Sequence, residues 1–569
     1  MSSTSIDKHG SAMSHSIAKN AAKEDEQFNK EAHEESSISG ELDSVSVRVS
    51  YDSTHRQLRP RHIQLIGIGG TIGTALYVSI GQGLLNGGPG SLFLAFTIWC
   101  TFILAVTNCM AEMVTYLPIS SPFIRFAGRY VDEAFGVATG YNFFIFEAIL
   151  VPFEVVACNL IIHYWSDVVP AGGMIAVVLV LYAIINLFAV KWYGESEFWL
   201  ALGKVVLIVG LIIFTFITML GGNPLHDRFG FRYWEDPGAF AELDGYTGSL
   251  GIFLGFLQCL IQAAFTIAGP DYVSMAAGEA MNPRSTLPKA YNGVFYRLTA
   301  FFVLGSLAVG ILVPYNDADL ISAYSSDLPG AAASPYVVAM DRLKISILPH
   351  IVNAMVLFSA FSAGNSYVYC ASRSLFGLAL EGKAPKFLTK CNKQGVPIYC
   401  VGVVLAIALL AFLQVSDNAG VVLSWFINLI TASQLINFSV ISFTFIKWKK
   451  ACDAQGFDRN LLPHKSFWQP FSAYYALSGC FVMTFVQGYS VFVNGNWDVT
   501  TFLFSYSMVG VFPAIFVGWK TLKGTKWLKP EEVNLRPSEV QEIEEYTRDY
   551  VEKPPKTRVH GWVGKLFSA

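Results

Sequence analysis

Two apolar stretches long enough to cross a membrane are each interrupted by residues that a membrane helix accommodates only with compensation. Gly67-Ile68-Gly69-Gly70-Thr71-Ile72-Gly73 breaks the first, and Thr266-Ile267-Ala268-Gly269-Pro270-Asp271 breaks another roughly two hundred residues later. Hydrocarbon offers no hydrogen-bond partners, so unwound backbone survives at membrane depth only where protein or a polar cavity replaces the lost bonds. Breaks at corresponding places in two halves of a chain point to a solute site near the bilayer midplane.

The rest of the chain fits that frame. With 569 residues, 53% hydrophobic and 14% charged, it reads as an all-α polytopic membrane protein and not as a soluble domain. Apolar runs of spanning length fall near 62–81, 90–116, 134–163, 173–190, 198–220, 250–278, 291–313, 347–379, 397–415, 419–446, 471–493 and 500–519, twelve in all. The resulting organisation is a disordered Ser-rich, acidic tail over 1–57, a transporter-like domain over 58–522 and a second tail over 523–569. An even number of spans puts both tails on one side. The excess of Lys and Arg in alternate loops, including Lys383, Lys386, Lys390, Lys393, Lys447, Lys449 and Lys450, makes that side cytoplasmic.

Three connections are long enough to carry structure. Those over 221–249 and 314–346 read as external lids, the second with a short surface helix entered at Ser334 and Pro335. The basic stretch over 447–470 reads as lying against anionic headgroups. A formal net charge of −3 argues against nucleic acid as a partner, and the nine cysteines are scattered through apolar runs without metal-like spacing. No metal constellation or nucleophilic triad appears, so neither a cofactor nor an enzymatic activity is expected.

Glycines in the first break free amide groups around Thr71–Gly73, and N–H donors at a helix start suit a carboxylate. Carbonyls left at the second break suit an ammonium. A glycine run also serves as a helix-packing face, but the pairing with a second break favours the solute site. Acids at membrane depth are functional candidates because burying them is costly: Glu147 and Glu154 lie seven residues apart on nearly one face, with Pro152 between them, and Asp271 follows the second break. Glu112 and Glu279, near span ends, read as loop anchors. Lys204 in the fifth span either reaches the interface or exchanges a proton during a cycle. Phe265, Tyr272, Phe361, Tyr367 and Trp425 are candidates for an aromatic cap over a cationic group.

These residues resemble the fungal amino-acid permeases of the amino acid–polyamine–organocation superfamily from Leu58 to Leu522. The resemblance rests on Arg61-His62-Ile63-Gln64-Leu65-Ile66 before the glycine motif, Tyr193-Gly194-Glu195-Ser196-Glu197-Phe198-Trp199, Arg228-Phe229-Gly230-Phe231-Arg232-Tyr233-Trp234, and Gly278-Glu279 with Asn282-Pro283-Arg284. It implies a five-plus-five inverted repeat with broken helices 1 and 6, and proton-coupled amino-acid import across the plasma membrane. It also implies that Thr71, Ile72 and Gly73 take the substrate carboxylate and the carbonyls around Phe265–Ala268 the amino group, with Lys204 and Glu154 in proton coupling; joined to the reading of the residues themselves, the expected substrate-binding set is Gly69, Gly70, Thr71, Ile72, Gly73, Glu154, Phe265, Thr266, Ala268, Asp271 and Phe361.

Where typical members read Gly-Thr-Gly-Leu and Gly-Thr-Glu, this chain reads Gly73-Thr74-Ala75-Leu76 and Gly269-Pro270-Asp271. These departures are similar to a branch associated with carnitine and polyamine uptake. The expected partners are therefore a small solute of that kind, protons and the lipid bilayer. The tails, with Lys19, Lys23 and Lys30 at one end and Glu539, Glu542, Glu544 and Glu545 at the other, suit ubiquitin ligases or trafficking factors, or the signalling surfaces of a nutrient sensor.

Overall fold

The computed structural model describes residues 56–550 apart from 57, 59, 61–62, 65–66, 68–69, 167, 189, 244, 326–333, 393–394, 416–418 and 494, and apart from the side chains of 190–198, 323, 325 and 419. Residues 1–55 and 551–569, and with them nearly all of the expected N-terminal tail, lie outside the described residues.

Ten helices among the described residues are long and apolar enough to cross a bilayer, and Phe471–Val486 is apolar but shorter. They follow one another as α1 (Ala75–Tyr116), α2 (Pro122–Tyr130), α3 (Glu133–His163), α4 (Ala171–Phe188), α5 (Val190–Met219), α6 (Gly248–Thr266), α7 (Asp271–Met275), α8 (Pro283–Leu312), α9 (Pro335–Arg342), α10 (Leu348–Leu380), α11 (Ile398–Val415), α12 (Ala419–Ala454), α13 (Phe471–Val486), α14 (Val499–Lys523) and α15 (Ser538–Asp549). No strand occurs among the described residues; Leu58 and Ala280 form a single parallel bridge.

Ten becomes twelve crossings when α13 is counted and α1 is divided at its bend. The spans expected separately at 62–81 and 90–116 run together because the residues between them stay helical up to Gly88, at φ 78° and ψ 172°, followed by Pro89. Only glycine takes that φ without strain. The bend is closed by the long loop before α6: Gly90 N–H donates to Ala239 O at 2.7 Å and Ala241 N–H to Gly87 O at 3.0 Å. A Cβ on Gly88 would stand 2.8 Å from Ala241 N. One of the two expected lids is thus fastened to the helix end it covers.

Burial separates core helices from lipid-facing ones. The most apolar windows of α3 and α12 are 83% buried, whereas that of α14 is 11% buried. Val177, Val180, Ile184, Val206, Ile213 and Phe216 stand exposed on α4 and α5, as lipid contact requires. At 31 residues α3 is about 46 Å long at 1.5 Å per residue, longer than a bilayer core of about 30 Å. It packs along α10, the third span of the second half. Each five-span half therefore opens on a broken helix and contributes a long third helix beside the breaks, the arrangement that the resemblance implied.

One expectation needs correction. The helix entered at Ser334 forms as α9 with Pro335 in its first turn, but it is not on the surface: Tyr336, Val337 and Met340 are fully buried, and Ser334 Oγ donates to Tyr77 O at 2.7 Å. Its apolar face inserts beside the helix that follows the first break. The basic stretch over 447–470 begins inside α12 and makes contacts within the protein: Lys447 lies 4.8 Å from the Trp527 ring, Lys449 pairs with Asp453 at 2.6 Å, and Arg459 Nε donates to Glu112 Oε1 at 2.6 Å. That last bond gives Glu112 its expected role as a loop anchor, reinforced by Ser466 N–H donating to Oε2 at 3.2 Å.

The first part of the C-terminal tail also packs on the body. Leu528 N–H donates to Val131 O at 2.9 Å, and Gln455 Nε2 donates to the carbonyls of Pro530 and Val533, each at 2.8 Å. Val540 and Ile543 of α15 are buried, and its acids reach basic residues of two separate helices: Glu539 to Arg129 of α2 at 2.5 Å and Glu544 to Arg284 of α8 at 3.2 Å. Asp132 receives bonds from Lys520 and from Thr525 Oγ1. Burial opposes its ionisation, but these donors hold its carboxyl below the usual range.

Candidate solute-binding site

Glycine at 70 and 73 is fixed by close approach. A Cβ on Gly70 would fall 2.6 Å from the Tyr272 ring, and one on Gly73 would fall 2.5 Å from Glu154 Oε1. The unwound backbone recovers its bonds from side chains. Tyr367 Oη donates to Gly70 O at 3.0 Å and Ser359 Oγ to Ile72 O at 3.3 Å, so α10 supplies what the missing helical turn would have. At the second break Gln434 Nε2, from α12, donates to Ile267 O at 3.3 Å, and Gln262 Nε2 donates to Thr266 Oγ1 at 3.1 Å.

Between the breaks lies a cavity of about 380 Å³. It is lined by Gly70, Thr71, Gly73 and Ala75 from the first break, by Phe265, Thr266 and Ala268 from the second, and by Glu154, Phe153, Tyr272, Tyr367 and Gln434. Seven of the expected substrate-binding residues meet here, together with Tyr272 and Tyr367 from the aromatic candidates. Gly69 lies outside the described residues. Ile72 is fully buried and contributes through its carbonyl; Asp271 is buried just beyond the second break; Phe361 packs on Tyr182, ring centres 5.0 Å apart. None of these three lines the cavity.

Glu154 is the most constrained polar group of the site. Thr74 Oγ1 donates to its Oε2 at 2.6 Å, and Thr74 N–H approaches Oε1 at 3.4 Å. The carboxylate thus caps the helix that resumes after the break, where the exposed amide end of the helix favours negative charge. Lys204 is 2% exposed, so its ammonium is not carried out to the interface. It lies within electrostatic reach of Glu154, and its carbonyl accepts Tyr77 Oη at 3.0 Å. Phe265 meets Phe153 edge-on with ring centres 5.4 Å apart, which places an aromatic wall against the cavity.

Sequence reasoning missed Gln434, Phe153 and Thr74. Gln434 stands among Asn437, Ser433 and Thr431 on α12, a polar run in an apolar span that was a usable signal; Phe153 and Thr74 carried none.

The chain matches the amino acid permease family over residues 62–530. The protein belongs to that family. It is 49% identical over 520 residues to a general amino acid permease of Saccharomyces cerevisiae, covering 90% of this chain and 87% of the relative. It is 40% identical over 519 residues to a proline-specific permease of Emericella nidulans, covering 90% and 94%. Among solved structures, a mutant of the manganese transporter of Eremococcus coleocola superposes with a TM-score of 0.52 over 87% of this chain and 99% of that one. At 11% identity that likeness speaks to the fold alone. Family membership makes this an amino acid transport protein of the multi-pass membrane class, and the cavity between the two breaks is where its solute site is to be sought.

Proposed function

We propose that the protein is a plasma-membrane symporter that carries a small zwitterion or organic cation inward together with a proton by alternating access, with carnitine the first candidate and polyamines the second. In this reading both termini are cytoplasmic. The amides around Thr71–Gly73 take the carboxylate, Glu154 and Asp271 favour the cationic end, and Phe265 caps the cavity. Lys204 or Glu154 carries the proton.

The observation that carries the reading is the meeting of both breaks with Glu154 around one cavity. Backbone amides at the first break and backbone carbonyls at the second suit a solute with separated charges. The methyl of Ala75 on the cavity wall supports a lining different from that of a general permease. Radiolabelled uptake in a permease-deficient yeast strain tests this: carnitine and amino-acid uptake both unchanged on expression, with the protein at the surface, would sink it.

A sensor reading draws support from one feature. α15 is held by ion pairs to α2 and α8, so movement of those helices would be felt at the C-terminal tail. Removing residues 1–57 separates the readings, because a sensor loses its transcriptional effects while solute binding persists. The same tails are the segments on which ubiquitin ligases or trafficking factors would act.

A further inference from the structure

Two buried carboxyls stand just outside the cavity wall. Glu147, seven residues from Glu154 on α3, is fully buried, and neither of its oxygens accepts a well-formed hydrogen bond. Asp271, at the start of α7, is 2% exposed and its Oδ1 accepts none. The two lie within electrostatic reach of each other, and the Tyr272 hydroxyl stands beside Glu147. A third unpartnered group faces them: the hydroxyl of Tyr291, a residue 3% exposed, near Asp271. No ion pair among the described residues holds either acid.

The partition between this pair and the cavity is thin. Tyr272 lines the cavity and adjoins Asp271 in the chain, and Phe146 and Leu150, the residues before and one turn after Glu147, line it as well. Glu154 is already compensated by Thr74 and by the charge of Lys204. Glu147 has neither an ion pair nor a well-formed hydrogen bond, and Asp271 keeps only a bond to its own backbone amide. Two acids buried within reach of each other are costly unless protonated or met by a cation, and such a surrounding excludes an anion.

We infer that Glu147 and Asp271 form a second cation subsite behind the Tyr272 ring, one that takes an ammonium group, primary or quaternary, carried several atoms beyond a solute's carboxylate. This rests on the cavity being the solute site and refines which acids meet the cationic end. With a carboxylate held near Thr71, the distal charge passes Tyr272 and settles between the two acids, while Glu154 stays on the Thr74 helix end.

L-lysine and L-norleucine share a backbone and chain length and differ in the distal ammonium, so they isolate the subsite. Carnitine supplies the quaternary case. Binding is measured on the purified full chain in lipid nanodiscs by competition. The wild type is expected to prefer lysine to norleucine by about tenfold or more, roughly 1.4 kcal/mol per factor of ten. Glu147→Gln should bring the two within about threefold while norleucine binding stays unchanged, which also shows that the variant is folded. Asp271→Asn should lower the same ratio. Carnitine binding should weaken in Glu147→Gln in parallel with lysine if the quaternary group uses the subsite; a loss for lysine alone restricts it to primary ammonium groups. A lysine preference that survives both substitutions, equal weakening of lysine and norleucine, or a wild type that binds norleucine or carnitine but does not favour lysine would overturn the subsite and leave the transport reading standing. A wild type that binds none of the three removes both.

Discussion

Thr74 Oγ1 donates to Glu154 Oε2 at 2.6 Å, and through that bond the third span caps the helix that resumes after the first break. A side chain eighty residues away supplies what a local capping residue usually does. Movement of α3 relative to the first break must therefore change either the charge on Glu154 or the satisfaction of the helix end.

Replacing Glu154 by Gln keeps an acceptor for Thr74 but removes the charge. Uptake of the transported solute is expected to fall at least tenfold with surface protein retained, and the pH dependence of the residual uptake to flatten. Thr74→Val leaves a buried carboxylate oxygen without its donor, a loss of about 1–3 kcal/mol. The two substitutions combined should cost less than their sum, as a double-mutant cycle on thermal stability would read.

Gly70→Ala and Gly73→Ala place a methyl 2.6 Å from the Tyr272 ring and 2.5 Å from Glu154 Oε1. Both should abolish uptake. Gly210→Ala, where a Cβ meets nothing within 4 Å, should leave uptake at wild-type level. Equal effects at the three positions would show that glycine is needed for the helices in general and not for the site.

Arg459→Ala leaves Glu112, fully buried, without the guanidinium that holds it at 2.6 Å. Removing one partner of a buried pair costs about 3–5 kcal/mol. The expected outcome is a lower melting temperature of the purified protein, restored in part by adding Glu112→Gln. A variant as stable as the wild type would show that the pair is not needed to hold this loop.

The docking of α15 should depend on pH with a definite sign. Burial opposes ionisation of Glu539, but the hydrogen bond and charge of Arg129, with Arg125 nearby, hold its carboxyl below the ordinary value. A depressed carboxyl contributes stability that is fully present above the unfolded value of about 4.3 and is lost as pH falls through the lower folded one. Hydrogen exchange over 538–549, taken relative to the intrinsic rate at each pH, should accordingly be slow and constant from neutral pH down to about 5 and quicken only in stronger acid. Glu539→Arg should make it fast at neutral pH, and Arg129→Glu in the same chain should slow it again.

Enlarging Ala75 tests the cavity wall. Ala75→Val adds two methyl groups to a space of about 380 Å³, and uptake of a quaternary ammonium solute should fall more than that of a small amino acid. Equal losses would place the residue in helix packing instead.

The membrane class, the span pattern, the two breaks and most of the cavity residues are legible in the sequence alone. Those features are local: apolar runs of spanning length and backbone that cannot stay helical leave their mark in a few adjacent residues. The family signatures fixed how these pieces correspond. Which partners satisfy the broken backbone was settled only by the fold, because Tyr367, Ser359 and Gln434 come from helices nearly three hundred residues from the first break and about 170 from the second. Packing also settled that Glu154 caps a helix while Glu147 is left uncompensated, although the two acids look alike in the sequence. That difference depends on what each faces across a helix interface, and spacing along one helix carries no record of the opposite wall. The burial of α9 and the docking of α15 were likewise out of reach, since an amphipathic segment shows its apolar face but not the surface that covers it.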